Sequence, residues 1–324
     1  TEYLPPSDLK ALDDQTAGEF GGCGISVMLK NGKLTVIKVF PDTPAERSGV
    51  RKGDVIVAVD DKTIPDNDET LGGELLRGEP GTSVKVTLLR DGGETVVTIR
   101  REVIALSSIE DVHVIGGTTI GYIAVTEFQE HTGEDFSREL QKLLSVQGIT
   151  GLIMDLRGNP GGLLTRAVDV CSQFLAEGDV VVTTECNVPQ RKVTYCANRV
   201  YPPVPSSVRL VILIDKGSAS AAEITASCLK DHGRAVLVGE TSFGKGSVQR
   251  VFDFPHGDGM KVTVAKYYTK KHQEIHQVGI TPDVVVPMDE DMYKKWSMCE
   301  NADERDRMDP QLQAALEYLK KEMK

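Results

Sequence analysis

Residues 211–249, VILIDKGSASAAEITASCLKDHGRAVLVGETSFGKGSVQ, constrain this chain more than any other stretch. Residues 211–214 form an apolar run with the length of a buried strand. A turn, Asp215-Lys216-Gly217, follows, then a run of small residues that predicts a helix from Ser218 to about Lys230. A second apolar strand at 235–238 leads into a glycine-rich turn carrying Lys245. Two strand ends thus bring a hydroxyl and an amine to one edge of a sheet, where open α/β sheets place their sites. Three readings compete. Ser220-x-x-Glu223 is a capping box that satisfies free N–H groups at a helix start. Gly239-x-x-x-x-Gly244-Lys245 has the spacing of a phosphate loop. However, Gly246 stands where that loop needs Ser or Thr for magnesium, and the following VQRVFDF is strand-like. The third reading is a Ser–Lys pair. A serine hydroxyl attacks well only when a neighbour takes its proton. A lysine can do so when burial lowers its pKa from about 10.4 towards neutrality.

The runs GSASAAEI and VGETSFGKGSVQ are similar to those of the C-terminal processing peptidases, or tail-specific proteases, of serine peptidase family S41. The resemblance implies a nucleophile at Ser220, a base at Lys245 in F-G-K-G, and Gln249 positioning the lysine. The stretch DLRGNPGG at 155–162 matches the family's D-L-R-x-N-x-G-G, which lies beside the nucleophile. The oxyanion-hole donors it implies are the N–H groups of Gly161, with Gly162 next to it, and of Ala221. Read without the resemblance, that loop is a tight turn held by an Asp155–Arg157 ion pair. The run HQVGITPDVVVP matches the family's G-I-x-P-D-x-x-V.

Residues 21–103 resemble a PDZ domain. A glycine-rich loop, Gly21-Gly22-Cys23-Gly24-Ile25, precedes a strand, and PDTPAERSGVRKGDVIVAVDD matches the family's turn, short helix and G-D-x-I strand. The resemblance implies that Gly22, Cys23, Gly24 and Ile25 hold a peptide's terminal carboxylate in a backbone nest, the tail adding as a strand. A helix near 68–76 is expected as the other wall of that groove.

Composition excludes several classes. A net charge of −11 argues against nucleic acid as a main partner. No apolar run is long enough to span a membrane. The six cysteines contain no C-x-x-C pattern. Cys186 and Cys196 flank a Pro-containing turn and are candidates to pair across it, whereas Cys23, Cys171 and Cys228 read as buried thiols. Of the six histidines, none has a matched partner like that of Ser220 with Lys245. His272 and His276 have i,i+4 spacing, but H-Q-E-I-H is not the zinc motif H-E-x-x-H.

The expected fold is α+β and multidomain: a β-rich PDZ domain inserted into, or preceding, an α/β serine-protease domain of ClpP/crotonase type. The expected divisions are a linker with one helix N-capped by Ser7 at 1–20, the PDZ domain at 21–103, the peptidase core at 104–287, and a charged, exposed segment with a terminal helix at 288–324. The implied activity is a serine endopeptidase cleaving polypeptides with accessible C-termini, with a PDZ domain that binds substrate C-termini, gates activity, or both, and without metal, nucleotide or other cofactor. The resemblance also implies an exported protein of the bacterial periplasm or cell envelope. Thr1 opens in mid-motif, so an export signal and a helical segment carrying dimer contacts are expected upstream. The rivals are a silent PDZ scaffold and a Ser–His esterase, the latter lacking a G-x-S-x-G elbow.

Overall fold

The computed structural model describes residues 1–297, 299 and 302–323. Two compact units emerge, Gly18–Leu106 and a larger one combining Thr1–Ala17 with Ser107–Lys324. The smaller unit is therefore an insertion in the chain of the larger.

In the larger unit the 211–249 pattern folds as strand Arg209–Ile214, helix Ala221–Asp231 and strand Ala235–Gly239. These strands belong to a six-stranded sheet ordered Ile109–Val114, Ile120–Val125, Gly151–Asp155, Arg209–Ile214, Ala235–Gly239, Val284–Val285. The first pair is antiparallel and the rest are parallel. Side chains alternate across a strand, so each apolar run feeds two cores. Leu152, Met154, Leu210, Ile212 and Leu237 pack with Phe136, Leu140, Val170 and Ile224 from the helices on one face. Ile153, Val211, Leu213 and Val238 pack with Leu312, Ala315, Leu316 and Leu319 of the terminal helix Pro310–Glu322. Burial on both faces explains why these strands are unbroken apolar runs.

A second, antiparallel sheet is built on the hairpin of Ser247–Asp253 and Gly259–Tyr268. Glu2–Leu4 and Val180–Glu185 both pair with Gly259–Tyr268, and Val193–Cys196 adds to Val180–Glu185. The first residues are thus more than a linker. They supply a strand, and their helix Pro6–Ala17 buries Leu9. Ser7 is not its N-cap: the helix starts at Pro6, and the Pro5 carbonyl accepts from Asp8 and Leu9. Proline suits a first helical position because its missing N–H has no intrahelical partner there.

Cys186 and Cys196 do not pair. Cys196 lies opposite Val180, whereas Cys186 follows Glu185 at the other end of the hairpin. Six strand positions separate them by about 20 Å, well beyond disulfide reach. Cys23, Cys171 and Cys228 are buried thiols, as expected.

The inserted unit is a twisted antiparallel sheet ordered Ile25–Lys30, Lys33–Val39, Val55–Val59, Ser83–Arg90, Gly93–Arg100. Lys62–Thr63 pairs beside Val55–Val59. Its helix Glu69–Leu76 is capped by Asp68, whose carboxylate accepts from the Leu71 N–H at 2.9 Å. Strand Glu19–Gly22 pairs antiparallel with Glu102–Ala105, so the insertion enters and leaves side by side.

The charged stretch 288–308 carries two helices, Glu290–Ser297 and Ala302–Met308, while its residues 298, 300 and 301 lie outside the described ones. It is not wholly exposed: the Trp296 ring lies 5.1 Å from the Arg157 guanidinium carbon.

Candidate active site

Three loops leave the same edge of the six-stranded sheet, at 156–163, 215–220 and 240–246, because their strands are parallel and in register there. The loops are stitched together. Asp215 accepts from the N–H groups of Gly158, Gly217 and Ser218 at 2.8–3.1 Å. The Ser218 hydroxyl donates to the Leu156 carbonyl at 2.7 Å, and the Ala219 N–H to the Asn159 carbonyl at 2.9 Å. Gly239 must be glycine: at φ +128° it lies so close to the neighbouring strand that a Cβ would meet the Ile214 carbonyl at 2.1 Å.

Ser220 caps the helix Ala221–Asp231 from an unusual backbone conformation, φ 53° and ψ −113°. Only surrounding structure can hold a non-glycine residue there, and such strain clusters at functional turns. The helix therefore begins after Ser220, and not at Ser218 as the small-residue run suggested. Gly161 packs on this turn so tightly that a Cβ would meet the Ser220 Cβ at 2.6 Å and the Ala221 nitrogen at 2.9 Å.

Glu223 is fully buried, and four close donors converge on its carboxylate, with the Tyr267 hydroxyl a fifth at 3.4 Å. Oε2 accepts from the N–H groups of Ser220, at 2.9 Å, and Lys245, at 2.8 Å. Oε1 accepts from the Ser242 hydroxyl, at 2.6 Å, and the Gly244 N–H, at 2.7 Å. The capping motif disclosed only the Ser220 contact. The other three close donors come from a loop about twenty residues away, and no local pattern announces them. Tyr267, likewise unseen in the sequence, donates its hydroxyl to the Lys245 carbonyl and lies 3.3 Å from that of Ser220. Burial, with the Glu223 charge beside it, pushes the Tyr267 phenol far above its ordinary range and keeps it a donor.

Ser220, Lys245 and Gln249 line one open cavity of about 610 Å³. Its walls include Phe128, Pro160, Gly162 and Leu163 on one side and Leu12, Asp13, Gln15 and Thr16 of the N-terminal helix on another. Glu127 lines it too; burial raises its carboxyl above the usual range, against a 2.6 Å hydrogen bond from Gln15. Gln249 reaches the cavity, though not through simple strand parity. Lys245 precedes the strand Ser247–Asp253, and a bulge at Val248/Gln249 breaks the two-residue alternation. None of the six histidines, all of them described, lines this cavity.

Gly161 is the glycine expected first as an oxyanion donor. Its N–H is spent on the Asn159 side chain at 2.8 Å, and Asn159 is anchored in turn to the Val125 carbonyl at 2.7 Å. Gly162 lines the cavity instead. Phe128 bonds the Gly161 carbonyl and the Leu163 N–H, which turns the Gly162 N–H to the opposite side of the chain.

In the inserted unit a cavity of about 250 Å³ is lined by Phe20, Cys23, Gly24 and Ile25, and by Gly73, Leu76 and Arg77 around the helix Glu69–Leu76. The Cys23 and Gly24 carbonyls accept from Ala45 and Phe40. Because a peptide unit is planar and trans, the N–H groups of Gly24 and Ile25 point the other way. Gly22 is absent from the lining; a Cβ there would meet the Phe20 ring at 2.8 Å. Burial pushes the Cys23 thiol up to about 11.

Fold and cleft together define the class: a serine peptidase whose chain also carries a PDZ domain. Comparison with known proteins agrees. The model of "Peptidase family S41" matches residues 119–286, and that of "PDZ domain" matches residues 21–100. The carboxy-terminal-processing protease of Bartonella bacilliformis is 35% identical over 88% of this chain and 66% of its own length. The carboxyl-terminal-processing protease of Picosynechococcus sp. is 34% identical over 98% of this chain and 75% of its own. Among solved structures, a photosystem II D1 C-terminal processing protease is similar with a TM-score of 0.52 and 31% identity, over 89% of this chain and 78% of that one. The chain belongs to peptidase family S41.

Proposed function

We propose that the peptidase works through a Ser220–Lys245 dyad on extended polypeptides, close to their C-termini. The observation that carries this reading is the strained Ser220 turn sharing one cavity with Lys245. Lys245 Nζ, neutral when it acts, takes the Ser220 proton as Oγ attacks the scissile carbonyl carbon. The oxyanion is met by the N–H of Ala221, at the start of its helix, and by that of Gly162. The collapsing intermediate expels the amine, which receives the proton from Lys245, and leaves an ester on Ser220. Water, losing a proton to the same lysine, hydrolyses the ester and restores Ser220. Gln249 orients the lysine from the cavity wall.

The PDZ groove holds the substrate's C-terminal residues. The inward N–H groups of Gly24 and Ile25 take the carboxylate, and the side chains of Ile25, Val27 and Leu76 in the lining favour a small or apolar last side chain. The relatives are named for processing carboxyl termini, and the same task in a bacterial cell envelope is the setting proposed here. Cleavage of an unstructured protein such as casein tests the dyad. Ser220→Ala and Lys245→Ala should each abolish it while leaving the circular-dichroism spectrum unchanged; a Lys245→Ala variant that still cleaves would remove lysine as the base.

A further inference from the structure

We infer that Glu223 and Ser242 form a buried positioning relay that sets the nucleophile against the base, and that the G-I-T-P-D run at 279–283 acts on catalysis through it. This rests on the dyad reading above. Glu223 holds the backbones of Ser220 and Lys245 on a single oxygen, Oε2. Its other oxygen is held by Ser242 and Gly244. The Ser242 hydroxyl donates to Glu223 at 2.6 Å and accepts from the Ile280 N–H at 2.7 Å. The Ser242 N–H also donates to the Ile280 carbonyl at 3.2 Å, and the Gln277 N–H to that of Gly244 at 2.8 Å. Gly279 permits this approach, since a Cβ there would meet the Ser242 carbonyl at 2.3 Å.

A continuous hydrogen-bond chain therefore runs from Ile280 through Ser242 and Glu223 to both members of the dyad. Glu223 is fully enclosed, and neither it nor Ser242 lines the catalytic cavity, so neither touches substrate. Their contribution lies in placement. A misplacement of about 1 Å between reacting groups costs on the order of 100-fold in rate, so loss of the relay should lower kcat and leave KM nearly unchanged.

The test compares Ser242→Ala, Ser242→Thr, Glu223→Gln and Glu223→Asp in the full chain. kcat and KM are measured on one peptide substrate, with the rate of Ser220 labelling by a fluorophosphonate and the thermal midpoint alongside. Ser242→Ala should lose about 10- to 100-fold in kcat, with KM within about twofold and labelling slowed in parallel. Ser242→Thr keeps a hydroxyl and should recover most of the rate. Glu223→Gln turns an amide NH₂ towards donors and should be impaired more than Ser242→Ala. Two results overturn the relay: Ser242→Ala with wild-type kcat and a lowered thermal midpoint, or Ser242→Thr as impaired as Ser242→Ala. Failure of the dyad itself is distinguishable, because cleavage would then survive Ser220→Ala whatever the relay variants do.

Discussion

At Ser220, one residue carries both a chemical role and a conformational cost. Its φ of 53° with ψ −113° is a region that glycine enters freely and other residues enter at about 1–3 kcal/mol. Ser220→Gly should therefore be more stable than Ser220→Ala by on the order of 1 kcal/mol, read from urea denaturation, although both are inactive. Equal stability would mean that the turn is not strained. The cysteines show the same dependence on surroundings. Cys196 is exposed, whereas burial lifts the Cys23 thiol to about 11 and encloses Cys171 and Cys228. Iodoacetamide at pH 8 should modify Cys196 in the native chain and leave those three untouched; rapid labelling of Cys23 would contradict its enclosure behind the groove. At this scale the sequence marked Ser220, Lys245 and Gln249, because each belongs to a long motif. It pointed to Gly161, with Gly162 next to it, as oxyanion donor; the structure bonds the Gly161 N–H to the Asn159 side chain and lines the cavity with Gly162. That choice depends on which way one peptide unit faces, which the Asn159 side chain and Phe128 decide.

Among elements, the apolar runs at 211–214 and 235–238 were legible as strands because both faces of each are buried. The bounds of helices depended on capping contacts. Glu69–Leu76 starts where Asp68 can cap it, and Pro310–Glu322 starts where Asp309 accepts from Gln311 and Leu312, both at 3.0 Å. Within the PDZ unit, the Arg90 guanidinium holds the Asp54 carboxyl below its usual range, at 2.7 Å through both oxygens. Since Asp54 titrates lower folded than unfolded, the pair stabilises the fold above the unfolded pKa of about 3.9. That contribution is lost as pH falls through the lower folded value. Thermal midpoints of wild type and Asp54→Asn should differ at pH 5 and converge once the pH has fallen below the folded value; a gap that persists in acid would exclude ionisation as its source.

For the whole molecule, the terminal helix acts as a clasp on the sheet edge that carries the site. Arg157, in the loop after Gly151–Asp155, is buried between Asp155, at 2.6 Å, and Asp309, at 2.8 Å. The flanking carboxylates keep its guanidinium charged despite burial. Asp309→Ala removes a cap and half of this buried pairing, and should cost about 3 kcal/mol by urea denaturation. Asp309→Asn can still cap and should recover about 1 kcal/mol of that; if the two are equal, the cap contributes nothing. The sequence by itself determined the two kinds of unit and the two motif segments that meet in the cleft, because apolar period and turn chemistry are local properties. Only the tertiary structure decided how those segments are joined. The donors that Ser242, Gly244 and Lys245 bring to Glu223, the Phe128 contacts that turn Gly162, the Tyr267 contact and the N-terminal helix in the cavity wall all arise between residues distant in the chain. Their hydrogen bonds exist only once the sheet has set its loop ends side by side.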